Sequence, residues 1–405
     1  MKILVLNAGS SSQKSALYDF QHFENDRAPL QPLWSAEITW NTGGETAELH
    51  IETLSGAEYS SQFPNNDRKA AMLQMLQTLR SGSTQVIANV HAIDAVGHRV
   101  VHGGRTKSNA LRIDAQVKAT IASLIPLAPS HNPINLEGIE LIEALLGPDV
   151  PQFAVFDTAF HSQIPDAAAI YPGPYDWVER GIRRYGFHGI SHAYCSDRMS
   201  QLLGRKNLKL ITCHLGNGCS LAAIHNGISI DTTMGFTPLE GLMMGSRSGS
   251  VDPGILLYLI REQGYDATTL EALLNEQSGL KGLSGISHDM RQVKVAMKSG
   301  NLRAKLAWDV YIYRIRSGIG AMLMSLNGLD ALVFTAGVGE HDSEVRSAVC
   351  QGLSFLGLTI DERINQAGTG DRDIATPDSP VRIWVLQTQE DWHIARSCWM
   401  ATCLR

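Results

Sequence analysis

The sequence predicts an α/β protein of two domains, and three observations predict it. Strand and helix patterns alternate along the chain, the arrangement that layers helices on sheets. A strand, a small polar turn and a second strand open the chain and return at 209–225, at the head of its second half. The length of 405 residues suits two or three domains at a prior of about 150 residues each.

The opening segment reads ILVL at 3–6, the turn NAGSSSQK at 7–14, then SALYDF at 15–20. Helical patterns cover 66–80 and 136–146, and short buried strands cover 95–101 and 153–156, with Asp157 directly beyond the last of them. The second strand–turn–strand is KLITCH at 209–214, LGNGCS at 215–220 and LAAIH at 221–225, closed by Asn226-Gly227. Helices then dominate, at 253–261, 268–276, 289–297 and 302–324. ALVFT at 331–335 is a buried strand running into AGVGE; 381–386 is the last strand, and a final helix starts near Glu390. No low-complexity tract or long proline-rich linker interrupts the series.

Composition narrows the function class. The chain is 44% hydrophobic and 18% charged, below the roughly 25% charged residues of an average soluble domain, which excludes a solvating disordered chain. Lys+Arg 34 against Asp+Glu 40 leaves a net charge of −6, with no basic stripe of the kind a nucleic-acid binder carries. The uncharged stretch 210–230 is broken by His214, Gly216, Asn217, Gly218, His225 and Gly227, so no membrane span is expected. The apolar run before Asn7 is too short for a signal-peptide core. Six cysteines form no CxxC pair and read as reduced, buried small hydrophobes. A cytoplasmic globular protein is expected.

The turn at 7–14 gathers small residues and Lys14 after a buried strand, so its N–H groups and hydroxyls can cradle phosphate oxygens; the alternative is a plain polar hairpin. It is no P-loop, because GxxxxGK[ST] is absent. Arg99 ends a strand beside Gly103-Gly104, and Arg247 lies in the glycine-rich loop 243–254; either forms a buried ion pair or holds an anion. Two such arginines suit phosphoryl transfer, where migrating charge is neutralised. Seven of 14 histidines fall between 98 and 214. His188 and His192 have the i, i+4 spacing of a zinc pair but lack the HExxH glutamate and enclose a glycine. Asp157 and Glu390 stand at strand ends, where a loop carboxylate or a helix start is the plain reading. Met243, Met244, Trp392 and Trp399 read as core.

Taken together, these segments resemble the acetate kinase family. The resemblance rests on NAGSSSQK, GHRVVHGG, APSHNPINLEGI, FDTAFH, YGFHGISH, HLGNGCS, DTTMGFTPLEGLMMGSRSG, FTAGVGEH and TQEDWHIAR, in the family's order, from residue 1 to about 397. It implies an α/β fold with duplicated ribonuclease H-like cores around an interdomain cleft, as in actin-like ATPases and sugar kinases. It places an acyl-substrate-side domain at 1–156 plus 391–405, and a nucleotide-binding and dimerisation domain at 157–390. The implied reaction is reversible, Mg²⁺-dependent transfer of the ATP γ-phosphoryl to acetate by direct in-line attack, in a homodimer, with Mn²⁺ able to substitute.

Residue roles follow from the same resemblance. Asn7 and Glu390 position Mg²⁺; Ser10, Ser12 and Lys14 form a first phosphate loop; His214, Asn217 and Gly218 form a second. Arg99 and Arg247 hold the acyl carboxylate and the phosphoryl group, His188 stabilises its charge, and Asp157 organises the site. Asp289, Met290, Arg291, Gly337 and Val338 approach the nucleoside. The methyl pocket falls on Val101, Ser130, Phe187 and Pro238. Two positions depart from the family: Ser130 stands where leucine is usual, and His341 where asparagine is. A smaller polar residue at 130 opens the alternative of a propionate or broader short-chain acid kinase, since one methylene is worth only about 1–3 kcal/mol. More distant alternatives are a nucleotide-gated binding protein without transfer, and a zinc hydrolase on His188 and His192.

Overall fold

The computed structural model describes residues 1–9, 12–21, 23, 28–40, 46–64 and 67–403. The chain divides into two compact units, Met1–Phe160 with Gln389–Arg405, and His161–Thr388.

The first unit contains β1 (Lys2–Ala8), β2 (Ser12–Asp19), β3 (Trp34–Trp40), β4 (Thr46–Thr53), β5 (Glu58–Pro64), α1 (Arg68–Thr78), β6 (Ala95–Val100), β7 (Leu111–Arg112), α2 (Ala115–Ser123), α3 (Asn132–Leu146) and β8 (Gln152–Phe156). Its eight strands lie in the order β5-β4-β3-β2-β1-β6-β8-β7. The central strand β1 is buried almost throughout, as a strand covered on both faces must be. β4 alternates exposed and buried residues, as a strand with one wet face does. Trp34, Ile38, Leu49 and Ile51 form a core with Met72 and Met75 of α1 and Ile142 of α3.

The second unit holds α4 (Asp166–Ala169), α5 (Asp176–Glu179), α6 (Gly189–Leu202), β9 (Lys209–Leu215), β10 (Cys219–His225), β11 (Ile228–Thr232), α7 (Pro253–Gln263), α8 (Ala267–Glu276), α9 (Gly279–Ser284), α10 (Met290–Lys298) and α11 (Leu302–Leu326). β12 (Ala331–Thr335), α12 (Ala336–His341), α13 (Ser343–Gln351), α14 (Glu362–Gln366), β13 (Arg372–Asp373) and β14 (Arg382–Val385) complete it. The strand order is β11-β10-β9-β12-β14-β13. α15 (Glu390–Cys403) then belongs to the first unit.

The two sheets share one plan. β3-β2-β1-β6-β8-β7 and β11-β10-β9-β12-β14-β13 have the same pairings in the same senses: two antiparallel, two parallel, then an antiparallel edge. These are duplicated ribonuclease H-like α/β cores, the first widened by β4 and β5. The strand–turn–strand repeat seen in the sequence is thus the visible part of a six-stranded duplication.

Packing of α15 positions its first residues. Gly97 on β6 has no side chain because a methyl there would lie 2.7 Å from both Cys398 Sγ and Ile394 Cγ2 of α15. On the same helix, Trp392 and Trp399 stack on Phe20 with ring centroids 5.3 and 5.7 Å apart.

Several boundaries differ from the sequence expectation. The opening turn is tighter, since β1 runs through Ala8 and β2 starts at Ser12; Asn7 and Lys14 are therefore cross-strand partners. α3 starts at Asn132, earlier than its apolar period, because Pro133 is well suited to a helix's first turn. The strands at 34–64 and the helix α6 were not anticipated. α6 opens on a glycine and carries His, Ser and Cys on its buried face, so its helical period is not written in large apolar residues.

Candidate active site

In the first unit, β1, β6 and β8 run parallel, and their C-terminal ends carry Asn7, Arg99 and the segment entering Asp157. Such strand ends are where open α/β sheets bind ligands. Arg99 donates Nε and Nη2 to a single oxygen of Asp157, Oδ2, at 3.1 and 2.6 Å. Its Nη1 donates to Asn7 Oδ1 at 3.3 Å, and Asn7 Nδ2 donates to Asp391 Oδ1 at 2.8 Å. The row ties two strands to the start of α15, and Asp391, which sequence reasoning passed over for Glu390, is part of it.

The charges are unbalanced. Burial opposes the Arg99 guanidinium, but Asp157, then Glu390 and Asp391, outweigh it and hold its pKa above the ordinary value. Burial, with Asp157 adding to it, pushes the Glu390 carboxyl up against the pull of Arg99 and Lys14. Burial and the neighbouring Glu390 push Asp391 up against its bond from Asn7. Asp157 Oδ1 is buried and has no hydrogen-bond partner among the described residues. An orphaned carboxylate oxygen beside two carboxylates of raised pKa is a set of hard oxygen donors short of positive charge. That chemistry fits Mg²⁺, which takes one or two carboxylates, keeps water and completes its shell with substrate phosphate. Among the described residues no group of three or more His, Cys, Asp or Glu is arranged to hold a metal ion by itself, these three carboxylates included.

The remaining candidates of this unit frame the same strand ends. Ser12 closes the hairpin by accepting from Gly9 N–H at 2.8 Å, and Lys14 is exposed on β2. Ser10 lies outside the described residues. Val101 is buried, and its N–H is held by Asn135 Oδ1 at 3.1 Å; Asn132 Oδ1 holds the next N–H at 3.1 Å. The asparagines of APSHNPINLEGI therefore clamp the strand end, a role their spacing on α3 signals only once the helix start is known. Ser130, just before α3, is exposed.

In the second unit, α6 lies on the β9–β10 hairpin. His188 caps α6 in the left-handed region at φ 55, and its Nδ1 is 2.9 Å from Ser220 Oγ. Its ring stacks on that of His214, centroids 4.1 Å apart, and His214 Nδ1 is 2.8 Å from Ser191 Oγ. The hairpin turn 216–218 passes beneath. A methyl on Gly218 would lie 3.3 Å from Cε1 and Nε2 of His188 and 3.6 Å from Arg247 Nη1, so its absence leaves a notch lined by two nitrogen edges. Arg247 Nη1 also donates to the Pro238 carbonyl at 3.0 Å. Phe187 is buried, with its carbonyl 3.0 Å from His161 Nε2. Asn217 is exposed at the turn, and a side chain on Gly245 would collide with its Oδ1.

The other nucleotide-side candidates fall on helix starts. Asp289 caps α10, accepting from Arg291 N–H at 2.8 Å and pairing with the Arg291 guanidinium at 2.6 Å. Met290 is buried, so only its backbone can face a ligand. Gly337 and Val338 lie in α12, which begins at Ala336 with φ 65. Glu340 Oε1 satisfies this start, accepting from Ala336 N–H at 2.9 Å and from Thr388 N–H and Oγ1 at 2.8 and 2.7 Å. His341 is the exposed last residue of α12.

The family model described as Acetokinase family matches residues 2–396. The chain belongs to the acetokinase family. An acetate kinase of Gloeobacter violaceus is 59% identical over 401 residues, covering 98% of this chain and 99% of the relative. The crystal structure of Porphyromonas gingivalis acetate kinase aligns with a TM-score of 0.88 at 40% identity, over 100% of both chains. A propionate kinase from Francisella tularensis aligns with a TM-score of 0.88 at 36% identity, over 98% of both.

For this acetokinase the zinc reading of His188 and His192 is corrected. His192 is buried with Nδ1 2.6 Å from Thr212 Oγ1 and Nε2 2.8 Å from Ser220 Oγ, so both ring nitrogens are already engaged by hydroxyls.

Proposed function

We propose that this acetokinase transfers the ATP γ-phosphoryl reversibly to acetate, giving acetyl phosphate and ADP by direct in-line attack. The observation that carries the reading is the notch over Gly218, where Arg247 Nη1 and the His188 ring edge converge. No general base is required, since an acetate carboxylate is already a nucleophile; the protein must position two anions and cancel their repulsion.

In this reading Arg247 and His188 take the phosphoryl oxygens, and Arg99, kept charged and aimed by Asp157, takes the acyl carboxylate. Asn7 and Glu390 hold Mg²⁺, with Mn²⁺ able to substitute as a similar oxygen-seeking cation. Bound to the phosphates, the ion draws off their negative charge. Ser10, Ser12, Lys14, His214, Asn217 and Gly218 bind phosphate; Asp289, the Met290 backbone, Arg291, Gly337 and Val338 receive the nucleoside. Val101, Ser130, Phe187 and Pro238 receive the acyl chain. A second reading, a propionate or broader short-chain acid kinase, is favoured by the exposed Ser130 at that pocket.

We also propose a homodimer built on α7. None of its 11 residues is buried, although Ile255, Leu257, Tyr258 and Ile260 are large and apolar. A second copy of this chain is the occupant we assign to that face. A cytoplasmic setting belongs to the same proposal, in keeping with six cysteines of which none is paired.

Hydroxylamine trapping of acyl phosphate formed from MgATP tests the reaction. Hydroxamate is expected with the highest kcat/KM from acetate; a propionate preference moves the name, and no hydroxamate from acetate, propionate or butyrate overturns the reading.

A further inference from the structure

The i, i+4 spacing of His188 and His192, which suggests a metal pair in the sequence, serves a different purpose in the fold. Both rings meet the β9–β10 hairpin from one side of α6. A row of three hydrogen bonds joins them. Thr212 Oγ1 lies 2.6 Å from His192 Nδ1, His192 Nε2 lies 2.8 Å from Ser220 Oγ, and Ser220 Oγ lies 2.9 Å from His188 Nδ1. Thr212, His192 and Ser220 are each completely buried.

The direction of the row is decided at its far end. Burial, with His161 and His214 adding to it, holds His192 well below the ordinary imidazole pKa, so it is neutral and has one N–H. Among the described residues the Thr212 hydroxyl has a single partner, His192. If Thr212 accepted from His192, its own proton would be buried with no acceptor, which is a penalised state. Thr212 therefore donates to Nδ1, and the His192 proton sits on Nε2, from which it is donated to Ser220 Oγ. The Ser220 proton then has one acceptor left, His188 Nδ1. With Nδ1 accepting, a neutral His188 carries its proton on Nε2, the ring edge that shares the Gly218 notch with Arg247.

We infer that Thr212, His192 and Ser220 are positioning residues that hold His188 as the neutral tautomer with its proton on Nε2, poised to donate to a phosphoryl oxygen. This rests on the reading of His188 as the phosphoryl-stabilising histidine. Protonating His188 puts a second N–H on Nδ1 against the Ser220 O–H and forces the row to reverse, leaving Thr212 unsatisfied. The row thus opposes the imidazolium form, and donation persists across the pH range in which a free histidine titrates. Titratable groups near the ring include His214, stacked at 4.1 Å, and Arg247, whose Nη1 lines the same Gly218 notch.

The experiment is steady-state kinetics of the full-length enzyme against pH, with ring ¹⁵N shifts of His188, for Thr212→Val, Thr212→Ser, Ser220→Ala and His188→Ala. Thr212→Val is expected to lower kcat about 10- to 100-fold, by analogy with the loss when the outer partner of a metal-ligating histidine is removed. KM for acetate and ATP should hold, and Thr212→Ser should restore kcat. Ser220→Ala should acquire a kcat that falls as pH rises through His188's released titration, and lose the single-tautomer shift pattern. Wild-type kcat and a flat profile in Thr212→Val and Ser220→Ala, with His188→Ala inactive, overturn the row while sparing the role of His188. Failure of Thr212→Ser to restore kcat also overturns it, as packing alone then explains Thr212→Val. Full activity of His188→Ala removes the underlying reading instead. If Thr212→Val does not fold, a protonated Nδ1 on His188 in the wild-type enzyme at neutral pH suffices to overturn the proposal.

Discussion

Arg99 and Arg247 have the same chemistry in different settings. Arg99 is fastened to one oxygen of a buried Asp157, while Arg247 is anchored by a carbonyl and a glycine-rich loop. Truncating Arg247 to alanine is expected to lower kcat at least about 10³-fold, the scale of an arginine that neutralises a transferring phosphoryl, and Arg99→Ala should lower kcat by releasing the acyl carboxylate it aligns for attack. Far-ultraviolet circular dichroism should be unchanged for Arg247→Ala. Arg99→Ala additionally leaves Asp157 buried and unpaired, a loss of roughly 3–5 kcal/mol, so its unfolding midpoint should drop as well. The two variants are separated by urea titration alongside hydroxamate assays. At Ser130, replacement by leucine refills the proposed methyl pocket. Ser130→Leu should depress kcat/KM for propionate relative to acetate by roughly 10-fold, and an unchanged ratio would remove residue 130 from the pocket.

At the scale of elements, α15 couples packing to function. Its first turn carries Glu390 and Asp391, and its body lies against β6 because Gly97 offers no Cβ. Gly97→Ala drives a methyl into Ile394 and Cys398. The expected penalty is about 1–3 kcal/mol by urea unfolding, with a rise in the Mg²⁺ concentration needed for half-maximal rate as the first turn shifts. α7 is the opposite case, a helix whose sequence is apolar and none of whose residues is fully buried. A charge at its centre, Leu257→Glu, should leave the unit folded and convert the particle to a monomer in sedimentation. A dimer that persists would refute α7 as the interface. Both elements were recognised as helices from spacing, yet nothing in spacing distinguished the helix that seals a sheet from the one left open. The strands at 34–64 carried a readable signal, since TAELHIET alternates apolar and polar residues with period two.

For the molecule as a whole, acid stability follows from its buried histidines. Burial holds His98, His102 and His161 at about 4, against an ordinary value of 6.5. Between those values the unfolded chain binds protons at these sites that the folded chain refuses. Stability is therefore highest above pH 6.5 and falls as pH drops towards 4, each histidine adding at most about 1.4 kcal/mol per pH unit to the slope. Denaturant midpoints measured at intervals from pH 7.5 to 4.5 should show that decline, and His98→Gln should flatten it. A slope unaltered by that substitution would show that His98 is already charged in the folded state.

The sequence by itself determined the class of fold, the head of each duplicated half, the family, and the candidates proposed as reacting side chains, because each is written locally. A glycine-rich turn, an arginine beside two glycines and a strand followed by Asp157 keep their meaning without knowledge of their neighbours. Tertiary structure alone decided what those residues touch. The Asn7 link from Arg99 to Asp391 spans β1, β6 and α15, so no spacing along the chain encodes it. The same holds for the direction of the Thr212–His192–Ser220–His188 row. It depends on one buried hydroxyl having a single partner among the described residues, and a hydrogen bond's donor is settled only when the competing acceptors around it are known.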